Sequence, residues 1–251
     1  QRIWMDRLLI SDACRPFLRP MPLPFTSLVA DLPSAIPFVG PESIERQTGT
    51  VFDARIGANE SAFGVSPVAA AAMRDAVSDL AWYNDPENHD LRESLARHHG
   101  VSSTEIAIAA GIDDLLGLAV RAFVDRGETA VASLGAYPTF IYHVDGFGCR
   151  LSTTPYRDGR NDLTALSDLA QKSDVRIVYL SNPDNPTGTW FSVEEITAFI
   201  DTLPQECILI LDEAYAEFAP KDAILDICPI HPNVIRMRTF SKAHGLAGAR
   251  V

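Results

Sequence analysis

The final stretch of the chain contains the residue types that could carry out covalent chemistry. Lys242 follows Ser241 at the end of an apolar run, small residues come next, and Arg250 follows them. The other two lysines, Lys172 and Lys221, lie in polar turn-like segments. A desolvated amine loses its proton more readily and can attack an aldehyde, and an arginine supplies a fixed positive charge for a phosphate. This combination indicates a lysine that carries a phosphorylated aldehyde, the chemistry of pyridoxal phosphate.

The composition restricts the class of protein and its partners. The chain has 251 residues, of which 47% are hydrophobic and 22% charged, as in soluble globular proteins. Its net charge of −12 argues against nucleic acid or an anionic membrane as the main partner. The four cysteines have no metal-ligand spacing, so we predict reduced thiols, a cytoplasmic location and no metal site.

From residue 51 onward, short apolar runs alternate with amphipathic segments that have a helical period. Near-continuous apolar strands separated by helices indicate a mostly parallel sheet covered on both faces, a three-layer α/β/α fold. The predicted strands are 51–56, 105–110, 129–134, 149–154, 176–180, 207–211 and 234–237, and the predicted helices are 67–80, 87–99, 113–124, 137–147, 163–171 and one beginning at Ser192.

Residues 1–50 have a different character from the rest of the chain. Repeated prolines disfavour regular helices and central strands, so we predict an extended arm that leads into a smaller domain, followed by a cofactor-binding domain over 51–251. The alternative is a disordered tail. The aromatic side chains of Phe17, Phe25 and Phe38 favour packing against something, such as a partner subunit.

Two candidate ligand contacts follow the predicted strands, because ligands bind at the carboxyl ends of parallel strands. Gly111-Ile112-Asp113 opens a helix, and the free N–H groups there could bind a phosphate. An ordinary strand-to-helix turn is the alternative. Tyr137 begins the next helix, where it could cover a flat ring or belong to the core.

Two later strands are followed by motifs that are more specific for a ligand site. In Asn182-Pro-Asp-Asn185-Pro-Thr-Gly188 the prolines and the glycine restrict the backbone, so that the amide of Asn185 could donate to a phenolate oxygen. Asp212 ends a buried strand, where a carboxylate costs several kcal/mol unless a cation pairs with it. A protonated pyridine nitrogen is such a cation. A helix N-cap and a magnesium ligand are the alternatives. Tyr215 could reach the oxygen of the same ring.

Together these motifs resemble the fold-type-I pyridoxal-phosphate aminotransferases of class I and II, most of all the histidinol-phosphate aminotransferase branch. The resemblance rests on the order and spacing of the Asn185, Asp212 and Lys242 motifs. Gly57-Ala-Asn59-Glu-Ser61 and Tyr83-Asn-Asp-Pro86 also support this branch.

The resemblance implies a role for each residue of the cofactor site. Lys242 would bond covalently to the cofactor and move the proton between substrate and cofactor. Asp212 would hold the pyridinium, and Tyr137 would stack on the ring. The phenolic oxygen would be contacted by Asn185 and Tyr215. The phosphate would be bound by Ser241, Arg250, Gly111, Ile112 and Asp113. Tyr83 would reach the phosphate in the neighbouring subunit of a homodimer, and Asn59 would lie near the substrate.

The implied activity is transfer of an amino group between an amino acid or amino-alcohol phosphate, with histidinol phosphate preferred, and 2-oxoglutarate. A decarboxylase or β-lyase of the same fold and an inactive cofactor-binding fragment are the alternatives. Ile112 stands where a small or polar residue is usual, and His244 replaces a usual phenylalanine and is interpreted as a packing residue. Family members continue into a C-terminal small domain, so we expect this chain to be part of a longer protein.

Overall fold

A computed structural model describes residues 23–32, 39–227 and 231–251. The chain divides into two compact units after Leu32. In the first unit, the described residues form one short helix, α1 (Ser27–Asp31), capped by the side chain of Thr26. The predicted domain boundary near residue 50 stays a prediction. The predictions made for Phe17 and Phe38 lie outside the described residues.

The second unit is built on a parallel sheet formed by β1 (Thr129–Ser133), β2 (Arg150–Thr154), β3 (Val175–Ser181), β4 (Ile208–Asp212) and β5 (Val234–Met237). The order of these strands across the sheet is β2-β1-β3-β4-β5. Ser181 is level with Asp212, and Asp212 is level with Met237. The carboxyl ends of β3, β4 and β5 therefore lie at one edge of the sheet, and predicted site residues follow these strands there.

Helices cover both faces of the sheet because alternate strand residues are buried on opposite sides. Ile177 and Tyr179 of β3 belong to one core cluster, whereas Val178 and Leu180 belong to the other. The predicted three-layer α/β/α fold is confirmed. The helices of this unit are α2 (Pro41–Thr48), α3 (Pro67–Asp75), α4 (His89–His99), α5 (Ile112–Phe123), α6 (Pro138–Gly146), α7 (Leu163–Ala170) and α8 (Val193–Thr202). None of the described helices is long and apolar enough to cross a bilayer.

Three predictions of secondary structure were wrong. Residues 51–56 and 105–110 pair with no described strand, although their short apolar runs predicted strands. In the first of these segments Val51 is 78% and Ile56 84% exposed, so the segment has no buried face. The proline-rich stretch before residue 50 contains α2, because Pro41 occupies the first helical turn, where no N–H is needed.

Candidate active site

Lys242 lies in a loop that follows β5 and folds back on itself. Leu246 N–H donates to the carbonyl of Phe240 at 3.0 Å, and Gly245 N–H donates to that of Lys242 at 3.1 Å. The Lys242 Nζ donates to the carbonyl oxygen of Ala58 at 3.1 Å. It also lies 5.7 Å from the centre of the Tyr215 ring. The loop therefore brings the predicted nucleophile next to a second predicted site residue.

A separate stretch, residues 57–65, meets this loop and is called the docking segment below. Asn59 Nδ2 donates to Tyr215 Oη at 2.9 Å, and Asn59 itself has a left-handed φ of 53°. Gly245 has a φ of +67°, and a Cβ there would overlap the carbonyl oxygen of Gly64. Close backbone approach at Gly245 is what lets the docking segment lie against the lysine loop.

Asp212 is a buried carboxylate without a charged partner among the described residues. Only 4% of it is exposed. Its oxygens accept hydrogen bonds from Tyr179 Oη at 2.7 Å and from Ala214 N–H at 3.0 Å. Burial raises the pKa of Asp212 to about 6, against the opposing effect of these two hydrogen bonds. The site thus contains a carboxylate that a cationic group would stabilise.

Asn185 borders an open cavity of about 500 Å³ together with Asn59 and Tyr215. Trp190 and Phe218 form apolar parts of its wall. Three of the predicted site residues, from three separate segments of the chain, therefore face one space that a small molecule could enter.

A buried polar network fixes the loop that carries Asn185. Asp184, which is 5% exposed, accepts hydrogen bonds from Asn161 Nδ2 at 3.0 Å and from Thr187 Oγ1 at 2.7 Å. Tyr156 Oη donates to the same carboxylate at 3.3 Å, and Asn161 Oδ1 accepts from Ser133 Oγ. Burial raises the pKa of Tyr156 well above its usual value. These contacts hold the backbone on both sides of Asn185.

The other end of the site combines a helix N-terminus with an arginine. Gly111 is the N-cap of α5, with a φ of +86° and no capping side chain. Arg250 Nη2 donates to the carbonyl of Ala110 at 2.8 Å, and a Cβ on Gly111 would lie 2.9 Å from that nitrogen. The free N–H groups and the guanidinium together suit an anion. The Gly111 N–H donates to the carbonyl of Ala109 at 2.8 Å, so the N–H groups that could bind an anion are those of the first turn of α5, beginning with Ile112.

Tyr137 contacts the start of α5, whereas Ser241 lies in the loop that carries Lys242. Tyr137 Oη donates to Asp113 Oδ1 at 3.0 Å, and burial raises the pKa of the phenol to about 12. The phenol of Tyr137 therefore stays protonated at neutral pH. Ser241 is buried, and its Oγ accepts from Thr239 Oγ1 at 2.9 Å.

Tyr83 and His244 are both exposed to solvent and differ in what they contact. Tyr83 is fully exposed, beside an exposed Trp82, so its predicted contact with a neighbouring subunit stays a prediction. His244 is about half exposed, packs at a tilt against Phe240 with 5.3 Å between ring centres, and lies 4.0 Å from Glu217.

Sequence reasoning missed the roles of two buried groups next to Asp212. Tyr179 is a tyrosine within the aliphatic run of β3, which is the signal that could have identified it. Glu213, 2% exposed, pairs with Arg236 at 2.7 Å and with Arg238 at 3.2 Å. These pairs join the end of β4 to β5 directly beside Asp212.

Comparison with known proteins identifies the family. The model of the aminotransferase class I and II family matches residues 54–251. A histidinol-phosphate aminotransferase from an Anaeromyxobacter species is 37% identical over 228 residues, which are 89% of this chain and 62% of that protein. A histidinol-phosphate aminotransferase from Maricaulis maris is 39% identical over 202 residues, 78% of this chain and 55% of that protein.

A solved structure agrees with these sequence relatives. The histidinol-phosphate aminotransferase of Sinorhizobium meliloti, determined in complex with pyridoxal-5'-phosphate, has a TM-score of 0.87 and 52% identity, and the match covers 92% of this chain and 62% of that one. This chain therefore spans less than two thirds of the length of these relatives. The family model, the relatives and the fold together show that the chain belongs to the class I and II aminotransferases.

Proposed function

We propose that this protein binds pyridoxal phosphate and transfers amino groups between an amino donor and a 2-oxo acid. The observation that carries the proposal is the buried carboxylate of Asp212, which has no cationic partner among the described residues. It lies shortly before Tyr215 in the chain, and the Tyr215 ring is next to the Lys242 amine. The carboxylate of Asp212, the amine of Lys242 and the anion site formed by the N-terminus of α5 with Arg250 match the ring nitrogen, the aldehyde and the phosphate of this cofactor.

The residues present fit the cofactor part by part. Asp212 would pair with the ring nitrogen, because a protonated pyridine supplies the missing cation. Tyr137 would cover the ring. Phosphate would bind where Gly111 admits the Arg250 guanidinium next to the N-terminus of α5. The phenolic oxygen would be contacted by Asn185 and Tyr215. The phosphate would also be bound by Ile112, Asp113 and Ser241, and Asn59 would lie near the substrate.

The chain's own residues would position the reacting groups and move one proton. The cofactor, when bound, supplies an aldehyde that accepts the amino group and a ring that withdraws electrons. The Lys242 Nζ, held at 3.1 Å from the Ala58 carbonyl, would give up that contact and carry a proton to and from the substrate carbon. The hydrogen bond from Asn59 would hold the Tyr215 hydroxyl in place.

Histidinol phosphate and 2-oxoglutarate are the proposed substrate pair. The support for histidinol phosphate is the name shared by the relatives that are 37% and 39% identical and by the structure that is 52% identical. The choice of 2-oxoglutarate rests on the resemblance to the family alone. A C-S lyase at 20% identity and a decarboxylase at 22% share the fold only, so they favour no second function.

A homodimer in the cytoplasm is the proposed working form. Between residues 51 and 83 large apolar side chains are exposed, among them Phe63 at 100% and Trp82 at 80%. A second copy of the chain could cover them, and Tyr83 would then reach the partner's cofactor phosphate.

The test is an assay of the purified protein with pyridoxal phosphate, histidinol phosphate and 2-oxoglutarate. We expect glutamate to form, and we expect neither carbon dioxide nor ammonia. The matched control is Lys172→Ala, which should keep the activity that Lys242→Ala loses. Release of carbon dioxide or ammonia without glutamate would contradict the proposed reaction, while glutamate formed from aromatic amino acids alone would contradict the proposed donor.

A further inference from the structure

Tyr179 lies in the middle of β3 with its hydroxyl directed at Asp212. Its side chain is 2% exposed and its ring stacks on Phe140, with 4.7 Å between centres and 15° between planes. The hydroxyl donates to Asp212 Oδ2 at 2.7 Å. A buried phenol needs such a partner, and here the partner is the residue proposed to hold the cofactor ring.

The other groups around Asp212 oppose its negative charge. Glu213 follows it in the chain and Asp113 lies at the start of α5, and both raise its pKa, although burial is the largest cause. The Tyr137 phenol also faces the site and stays neutral, since its own pKa is raised to about 12. Glu213 is itself paired with Arg236 of β5 and with Arg238, which follows that strand.

Two hydrogen bonds act in the opposite direction. The Ala214 N–H and the Tyr179 hydroxyl both donate to Asp212, and hydrogen bonds to an anion favour the anion. Of these two, Tyr179 provides the larger lowering of the Asp212 pKa. Its position is set by packing in the sheet, so the hydroxyl is in place whether or not a ligand is bound.

We propose that Tyr179 is a positioning residue that keeps Asp212 oriented and ionised before the cofactor arrives. The proposal rests on the proposed function, because it assigns Tyr179 a task in preparing the ring-nitrogen site. A neutral Asp212 would have to lose its proton before it could pair with a pyridinium. The Tyr179 hydroxyl therefore raises the fraction of protein that can take up the charged ring near neutral pH.

The first test needs no cofactor. The carboxyl stretch of Asp212 would be followed against pH by infrared spectroscopy of aspartate-labelled protein, and Asp212→Asn would identify the band. Because the pKa is raised to about 6, the neutral acid prevails below that pH and the carboxylate above it. In Tyr179→Phe we expect the midpoint to rise by about one pH unit, a tenfold weaker acid. An unchanged midpoint would overturn the proposal.

The second test compares two cofactors near neutral pH. At pH 7 a midpoint raised by one unit lowers the ionised fraction of Asp212 from about 0.9 to about 0.5. Tyr179→Phe should therefore weaken binding of pyridoxal phosphate about twofold, yet leave unchanged the binding of an analogue with carbon in place of the ring nitrogen. An equal loss for both would reduce Tyr179 to a structural role and overturn the proposal. The half-exposed Tyr142 of α6 provides the control, Tyr142→Phe. If the wild-type protein binds neither compound, the proposed function fails, and the infrared titration still decides the role of Tyr179.

Discussion

The carboxyl ends of β3 and β4 and the docking segment 57–65 place residues in one site by different physical means. Asp212 and Asp184 are 4% and 5% exposed and each accepts several hydrogen bonds from the surrounding core. In the docking segment Phe63 is 100% exposed, and the segment meets the lysine loop through Ala58, Asn59 and Gly64.

The strand-end residues are held in place by the core, whereas the docking segment is held by a few contacts. Residues at the strand ends cannot move without breaking the sheet, because their partners are buried in it. The docking segment can move at the loss of few interactions, and regions of this kind open with low free energies. Cofactor-binding groups should therefore be rigid, whereas Asn59, proposed to lie near the substrate, should be more mobile.

The largest expected effect comes from breaking the buried ion pairs at the end of β4. Glu213→Ala removes the carboxylate of Arg236 and leaves Arg238 with only the longer 4.0 Å contact to Glu217, and should lower the free energy of unfolding by about 3–5 kcal/mol. Urea denaturation measures this loss. Glu206, an exposed carboxylate before β4, is the control. A loss no larger than that of Glu206→Ala would show that the strand end is less rigid than its burial suggests.

Replacing the neighbouring carboxylate of Asp212 should have a smaller effect, which is a loss of activity. Asp212→Asn keeps the shape of the side chain but removes the charge opposite the proposed pyridinium. Turnover should fall roughly 10²–10³-fold, as when one preorganised electrostatic contact is lost. Steady-state assays measure it, with Asp168→Asn on the exposed face of α7 as control. Wild-type turnover in Asp212→Asn would exclude this residue as the partner of the ring.

The contact between the docking segment and the lysine loop should respond less strongly. Gly245→Ala places a methyl group against the Gly64 carbonyl at a positive φ, a strain of about 1–3 kcal/mol. Hydrogen exchange should show faster opening of residues 57–65 while the sheet amides stay protected. Gly248→Ala is the matched control, since a Cβ there meets nothing within 4 Å. Equal exchange in the two variants would contradict the proposed docking.

The smallest effect is expected at a single hydrogen bond of the docking segment. Asn59→Ala removes the 2.9 Å contact with Tyr215, which is worth about 0.5–1.5 kcal/mol. A double-mutant cycle with Tyr215→Phe, measured as cofactor affinity, isolates this term. Additive effects of the two substitutions would mean that the contact does not couple the segment to the site.

Much of the fold was predictable because buried strands have a strong sequence signal. The apolar runs of β1 to β5 lie within one or two residues of their predicted positions, and β5 agrees at both ends. The helix beginning at Ser192 was also predicted, and in the structure Ser192 and Glu195 form both hydrogen bonds of a capping box at its start. In each of these cases the local sequence pattern agrees with the final conformation.

Long-range pairing was less predictable. The segment 105–110 has the pattern of a strand, but a strand also needs a hydrogen-bonded neighbour, which no local pattern specifies. Likewise, the motifs predicted Asp212 and Lys242 as site residues but did not indicate Tyr179 or the Ala58 carbonyl. These two groups contact the site through hydrogen bonds between residues far apart in the chain.

The most direct test of the proposed cofactor site is to trap the cofactor on the protein. Pyridoxal phosphate should give the wild-type protein a visible absorption band, and borohydride reduction followed by peptide mass spectrometry should locate the cofactor on Lys242. Lys242→Ala should lose both signals, while Lys172→Ala and Lys221→Ala should keep them. A band that survives in Lys242→Ala, or an adduct on another lysine of the wild-type protein, would contradict the account.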